Sequence, residues 1–191
     1  MNRKSLILTA AALLLIIVGA LVGYTYLSRG ESAPQLSEND GEAAVEGEGE
    51  SAPQPAPDFT VYDAEGNGIT LSVLMDGKPT VLNFWASWCG PCRSEMPHIQ
   101  EAYERLGGDV SFVMINMTDG QRETRESAEE YMAESGWTFP IYFDSDYDAA
   151  MTYGAYSLPQ TYFIDAEGRL IAAARGSMSA EVLQSGIDMI T

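Results

Sequence analysis

Cys89 and Cys92 are the only cysteines among 191 residues, and they stand three apart in Trp88-Cys89-Gly90-Pro91-Cys92. Two thiols at that spacing can form a structural bridge, supply half of a metal site, or exchange disulfides with another molecule. A bridge this short closes a tiny loop and would add little stability. Structural zinc takes about four ligands. Beyond the cysteines the chain offers a single histidine, His98, and carboxylates, so no metal is expected. Exchange is the favoured chemistry, and it needs no cofactor other than the Cys89–Cys92 disulfide itself.

The elements around the pair say why. Val81 to Trp85 is apolar almost throughout and reads as a strand buried on both faces, as in a parallel sheet. Pro91 suits the first turn of a helix, where its missing N–H costs nothing. Met96, Ile99, Tyr103 and Leu106 then recur at helical spacing. The sulfurs therefore fall at a strand-to-helix junction, on the positive end of the helix dipole. Such a seat lowers a thiol pKa from near 8.5 to about 3.5–7.5. Cys89, the more exposed of the two, is the expected nucleophile. Cys92, one turn into the helix, is placed to resolve a mixed disulfide. Trp88, Gly90 and Pro91 surround the sulfurs and are expected to meet the substrate.

Composition limits the partners. The formal net charge is −18. After Arg29 seven basic residues face 28 acidic ones, a net of −21. That field repels phosphate backbones, so nucleic acid is excluded as a partner. Residues 6–27 carry no charge and follow Arg3 and Lys4. The run is long enough to cross a bilayer, and the basic flank places the N-terminus in the cytoplasm. Val18-Gly19-Ala20 resembles a signal-peptidase site, but the apolar run continues past it, favouring an uncleaved anchor.

Three segments follow from this reading. Residues 1–27 are a cytoplasmic N-terminus and transmembrane anchor helix. Residues 28–56, rich in Gly, Ser, Pro and Glu, are an acidic flexible linker unable to bury enough apolar surface to order itself. Residues 57–191 are the folded domain. In that domain Asp63-Ala64-Glu65-Gly66 and Asp165-Ala166-Glu167-Gly168 read as two hairpin turns of the same chemistry. Strand and helix patterns otherwise alternate, predicting an α/β fold with a mainly parallel sheet covered on both sides and antiparallel strands added by the final hairpin. A helix is expected to end near Gly136, and a last helix to be capped by Ser179. Asp144, Asp146 and Asp148 alternate, but no calcium-loop Gly and distal Glu accompany them.

The Trp88–Cys92 motif, with Leu158-Pro159 before a strand, resembles the thioredoxin fold. Asn83-Phe84-Trp85-Ala86-Ser87-Trp88-Cys89, then Glu95 and Pro97, Phe139-Pro140 and Leu158-Pro159-Gln160-Thr161, are similar to the TlpA/ResA-like membrane-anchored thiol–disulfide oxidoreductases. The resemblance covers about residues 57–191. It implies a thioredoxin-like domain with a central mixed sheet, an N-terminal hairpin and an inserted helix between 118 and 136. It implies that Pro159 is the cis-proline beside the cysteines, exposing the backbone of Leu158 to the substrate. It also implies that Glu95 lies close to the cysteines and is needed for activity. A carboxyl in a partly apolar pocket can carry a proton to or from a thiol. Asn83 stands where cytosolic thioredoxin has a buried aspartate. An amide cannot take a proton, which strengthens the case for Glu95, and Asn83 is expected to be a satisfied buried amide.

The implied activity is protein-disulfide reduction outside the cytoplasm. Gly90-Pro91 matches the dipeptide of thioredoxin rather than that of strong oxidants, a weak guide across about −270 to −120 mV. The implied substrates are exported proteins such as apocytochrome c or a methionine sulfoxide reductase. The implied electron donor is a membrane thiol relay of the CcdA or DsbD type. Three alternatives stand beside it: a disulfide-forming oxidase, a thiol peroxidase, and a non-catalytic binding module. Peroxidatic sites carry Pro-x-x-x-Thr/Ser-x-x-Cys, and here those positions hold Leu82 and Ala86.

Overall fold

Strand β5 (Thr80–Trp85) is the middle of the sheet and has no exposed residue. The computed structural model of the protein describes residues 45–47 and 54–191, all within the unit Asp40–Thr191. The proposed membrane segment, residues 5–27, lies outside the described residues. Among those residues no helix is long and apolar enough to cross a membrane.

In chain order the remaining elements begin with β1 (Val45–Gly47), β2 (Gln54–Pro55), β3 (Thr60–Tyr62), β4 (Gly68–Thr70) and α1 (Leu71–Met75). After β5 come α2 (Gly90–Leu106), β6 (Ser111–Asn116), α3 (Arg125–Ser135), β7 (Ile141–Phe143) and α4 (Asp148–Tyr153). The chain closes with β8 (Gln160–Ile164), β9 (Arg169–Arg175) and α5 (Ala180–Asp188). The sheet runs β1-β9-β8-β5-β6-β7-β3-β4, with β2 also on β9. Only β5–β6 and β6–β7 are parallel. The sheet is therefore mixed rather than mainly parallel, because only two connections are helical crossovers between neighbouring strands and the rest of the pairing comes from hairpins and edges.

Alternation along β5 sorts the two cores. Val81 and Trp85 join the cluster that packs under α2, α3 and α5 with Met96, Ile99 and Leu183. Leu82 and Phe84 join the other, with Leu71 and Met75 of α1 and Ala149 and Ala150 of α4. Asn83 thus sits between Val81 and Trp85 on the face covered by α2. On that same face α5 comes so close to β8 that a Cβ at Gly186 would stand 2.2 Å from the Phe163 ring.

The two Asp-Ala-Glu-Gly turns are built alike. Gly66 N–H donates to Asp63 O and Gly168 N–H to Asp165 O, at 3.1 and 2.9 Å. Each glycine has positive φ, +85° and +78°, which a side chain rarely tolerates. Each aspartate also accepts from the N–H after its turn glycine, Asn67 at 2.7 Å and Arg169 at 2.8 Å. Gly136, also at positive φ, ends α3, and Ser179 caps α5 through Val182 N–H, as expected.

Two differences concern the chain before β5. β1 and β2 fall inside the stretch expected as flexible linker, yet both pair antiparallel with β9. β9 would otherwise be an edge with free N–H and C=O groups, and backbone pairing does not require apolar side chains. The second strand of the first hairpin stops at Thr70, and Leu71 starts α1 instead of extending it.

Candidate active site

Cys89 and Cys92 are joined by a disulfide of 2.08 Å. Cys89 is the N-cap of α2, and its sulfur accepts from Cys92 N–H at 3.2 Å. Pro91 lies in the first turn, where it leaves no hydrogen bond unmade. Cys89 keeps 4% of its surface exposed and Cys92 none, so an incoming disulfide meets Cys89 first. Gly90 and Pro91 are exposed beside it. When the pair is reduced, the helix end and the Cys92 N–H stabilise a Cys89 thiolate.

Glu95, one helical turn beyond Cys92, is fully buried. Its Oε1 accepts from Asn83 Nδ2 and its Oε2 from Met178 N–H, each at 2.9 Å. Burial raises its pKa from 4.5 to about 7, against the opposing pull of the Met178 and Asn83 hydrogen bonds. A carboxyl poised there changes protonation state at the pH where thiols exchange. The same Asn83 amide donates to Thr161 Oγ1 at 2.9 Å. Its Oδ1 is buried without a partner among the described residues. Both N–H groups of Asn83 are thus committed, one to Glu95 and one to β8.

The Leu158–Pro159 peptide is cis. Leu158 packs against the apolar cluster that contains both cysteines. Trp88, 41% exposed, and Leu158 both line an open groove of about 300 Å³, together with Met117, Asp119, Tyr147 and Tyr156. Trp88 and Leu158 are thus brought to one groove.

Sequence reasoning missed Arg122 and Glu123, to which it gave no role. Glu123 is fully buried and accepts from Ser87 N–H at 2.8 Å, Ser87 Oγ at 2.7 Å and Asn116 Nδ2 at 2.6 Å. The Arg122 guanidinium stacks 3.5 Å above the Trp88 ring. Their signal in the sequence was weak, since an acid and a base in a polar loop are ordinarily solvated. The aspartates 144, 146 and 148 each have protein partners: Asp144 accepts from the N–H groups of Ala149 and Ala150 in α4, Asp146 from Tyr62 and Asp148 from Thr60 N–H.

A disulfide on a helix N-terminus, a buried carboxyl behind it and a cis-proline ahead of β8, all on a mixed sheet, define a thioredoxin-fold disulfide oxidoreductase. The chain belongs to the AhpC/TSA family, whose model matches residues 52–173, and within it to the ResA-like thiol–disulfide oxidoreductases. It is 29% identical over 192 residues to thiol-disulfide oxidoreductase ResA of Bacillus subtilis (strain 168), covering 100% of this chain and 96% of that one. It is 32% identical over 189 residues to ResA of Bacillus thuringiensis (strain Al Hakam), covering 99% of each. Among solved structures, StoA from Bacillus subtilis superposes with a TM-score of 0.59 at 27% identity, over 70% of this chain and 98% of that one.

Proposed function

We propose that this enzyme is an extracytoplasmic reductant of disulfides in exported proteins, held at the cell membrane by residues 5–27 with its N-terminus in the cytoplasm. The carrying observation is the fully buried Glu95, with its pKa raised to about 7, one turn beyond a disulfide seated on a helix N-terminus.

In the reducing direction the Cys89 thiolate attacks one sulfur of a substrate disulfide. The S–S bond breaks, the first substrate sulfur leaves as a thiolate and takes up from solvent the proton that Cys89 lost on ionising, and a mixed disulfide forms through Cys89. Cys92 gives its proton to the Glu95 carboxylate and attacks the Cys89 sulfur. The second substrate thiolate leaves and takes up a proton passed on by Glu95. Two substrate thiols form as the enzyme dithiol becomes the Cys89–Cys92 disulfide. A thiol relay of the CcdA or DsbD type returns two electrons from the cytoplasmic side. Apocytochrome c and methionine sulfoxide reductase are the substrate classes consistent with the resemblance. The charge-free run after Arg3 and Lys4 supports the topology.

Trapping tests the whole reading. In the full chain Cys92→Ser cannot resolve, so Cys89 should hold its partner as a stable mixed disulfide that mass spectrometry identifies. Exported proteins in the adduct support the proposal. Adducts confined to cytoplasmic proteins, or no adduct at all, overturn it.

A further inference from the structure

Ser87 and Trp88 are the central residues of a turn closed by Cys89 N–H donating to Ala86 O at 3.1 Å. The N–H groups and side chains in the middle of such a turn have no partner within it, and the nucleophile is the next residue. Both central residues are gripped by consecutive residues of the loop between β6 and α3. Glu123 takes both the N–H and the hydroxyl of Ser87. Arg122 covers the ring of Trp88.

The loop is built to present them. Asp119 Oδ1 accepts from the N–H groups of Gln121, Arg122 and Glu123 at 2.7, 2.7 and 2.9 Å. Gly120 N–H donates to Glu123 O at 2.9 Å. Asn116, the last residue of β6, bonds Glu123 through Nδ2 and accepts from Thr118 through Oδ1. The carboxylate is thus locked to the end of a central strand, and through it so is the turn.

Arg122 does not line the groove between Trp88 and Leu158. The same loop contributes Asp119 to the lining of that groove, while Arg122 meets the Trp88 ring itself. We propose that Arg122 and Glu123 are positioning residues that hold Ser87 and Trp88 fixed beside the groove that Leu158 also lines, so that a peptide strand beside Cys89 meets a preset indole. This rests on the reduction reading above and deepens it by naming what sets substrate fit. Preset contacts lower the ordering cost of binding. Loss of the clamp should therefore weaken peptide binding more than it slows sulfur exchange.

The test is steady-state reduction of a self-quenched peptide disulfide by the full-length enzyme, comparing wild type with Arg122→Ala, Arg122→Lys and Glu123→Gln. An exposed cation–ring contact of this kind corresponds to about two- to fivefold in an equilibrium constant. Arg122→Ala should raise KM by about that factor while kcat changes less than KM. Arg122→Lys, which keeps a cation over the ring, should recover part of the loss. Glu123→Gln should raise KM in the same sense, since one of its hydrogen-bond acceptors becomes a donor facing other donors. An unchanged KM in Arg122→Ala, or a fall in kcat with KM constant, overturns the clamp while the reduction reading stands. A wild-type enzyme that cannot turn over the peptide overturns both.

Discussion

Two glutamates, Glu95 and Glu123, lie fully buried near the active-site turn, and their surroundings divide them. Glu95 sits on α2 behind the disulfide and receives two hydrogen bonds, from a strand side chain and from the backbone after β9. Those two donors do not offset burial, and its proton is held to about pH 7. Glu123 receives three, two of them from the turn that carries Trp88. Its oxygens are spent on holding backbone and side chains in place. The lesson is that a buried acid with few donors holds its proton to higher pH, whereas one whose donors belong to a turn fixes that turn in place.

Stability measured against pH sharpens that contrast most. A carboxyl whose folded pKa is raised binds more protons folded than unfolded across the interval between the two values. Its stabilising effect is present below about pH 4.5 and is lost as pH rises through about 7. For Glu95 the loss is on the order of 3 kcal/mol. Urea unfolding of the oxidised protein should show that decline, and Glu95→Gln should remove most of it. Asp144, also raised by burial, should leave a residual slope of the same sign. An equal slope in the variant would mean that Glu95 is not the raised group.

A smaller effect is expected at the brace. Glu123→Ala strips the acceptor from Ser87 and Asn116 and should cost about 2 kcal/mol in the same unfolding measurement. A change within about 0.5 kcal/mol, the range of ordinary surface substitutions, would break the comparison from the other side.

Much of the redox half was legible in the sequence. The Cys-x-x-Cys spacing, the apolar run before it and Pro91 after it sufficed to place Cys89 on the cap of α2, because all three are local signals. Glu95 was found through the family resemblance, and its spacing from Cys92 agreed. The brace half was not legible. Glu123 meets Ser87 across 36 positions, and nothing local distinguishes an acid destined for burial from one left in water. The same limit explains β1 and β2, whose partner β9 lies more than a hundred residues downstream. Asn83 shows the intermediate case. Its burial could be read from the strand, but its bond to Glu95 required knowing which face of β5 lies under α2.

The central claim is that Glu95 moves the proton that lets Cys92 attack. The direct measurement is the rate of disulfide reduction from pH 5 to 9 in wild type and Glu95→Gln. The wild-type profile should bend near pH 7, and the variant should lose that bend and run about a hundredfold slower. Superimposable profiles at equal rates would contradict the account.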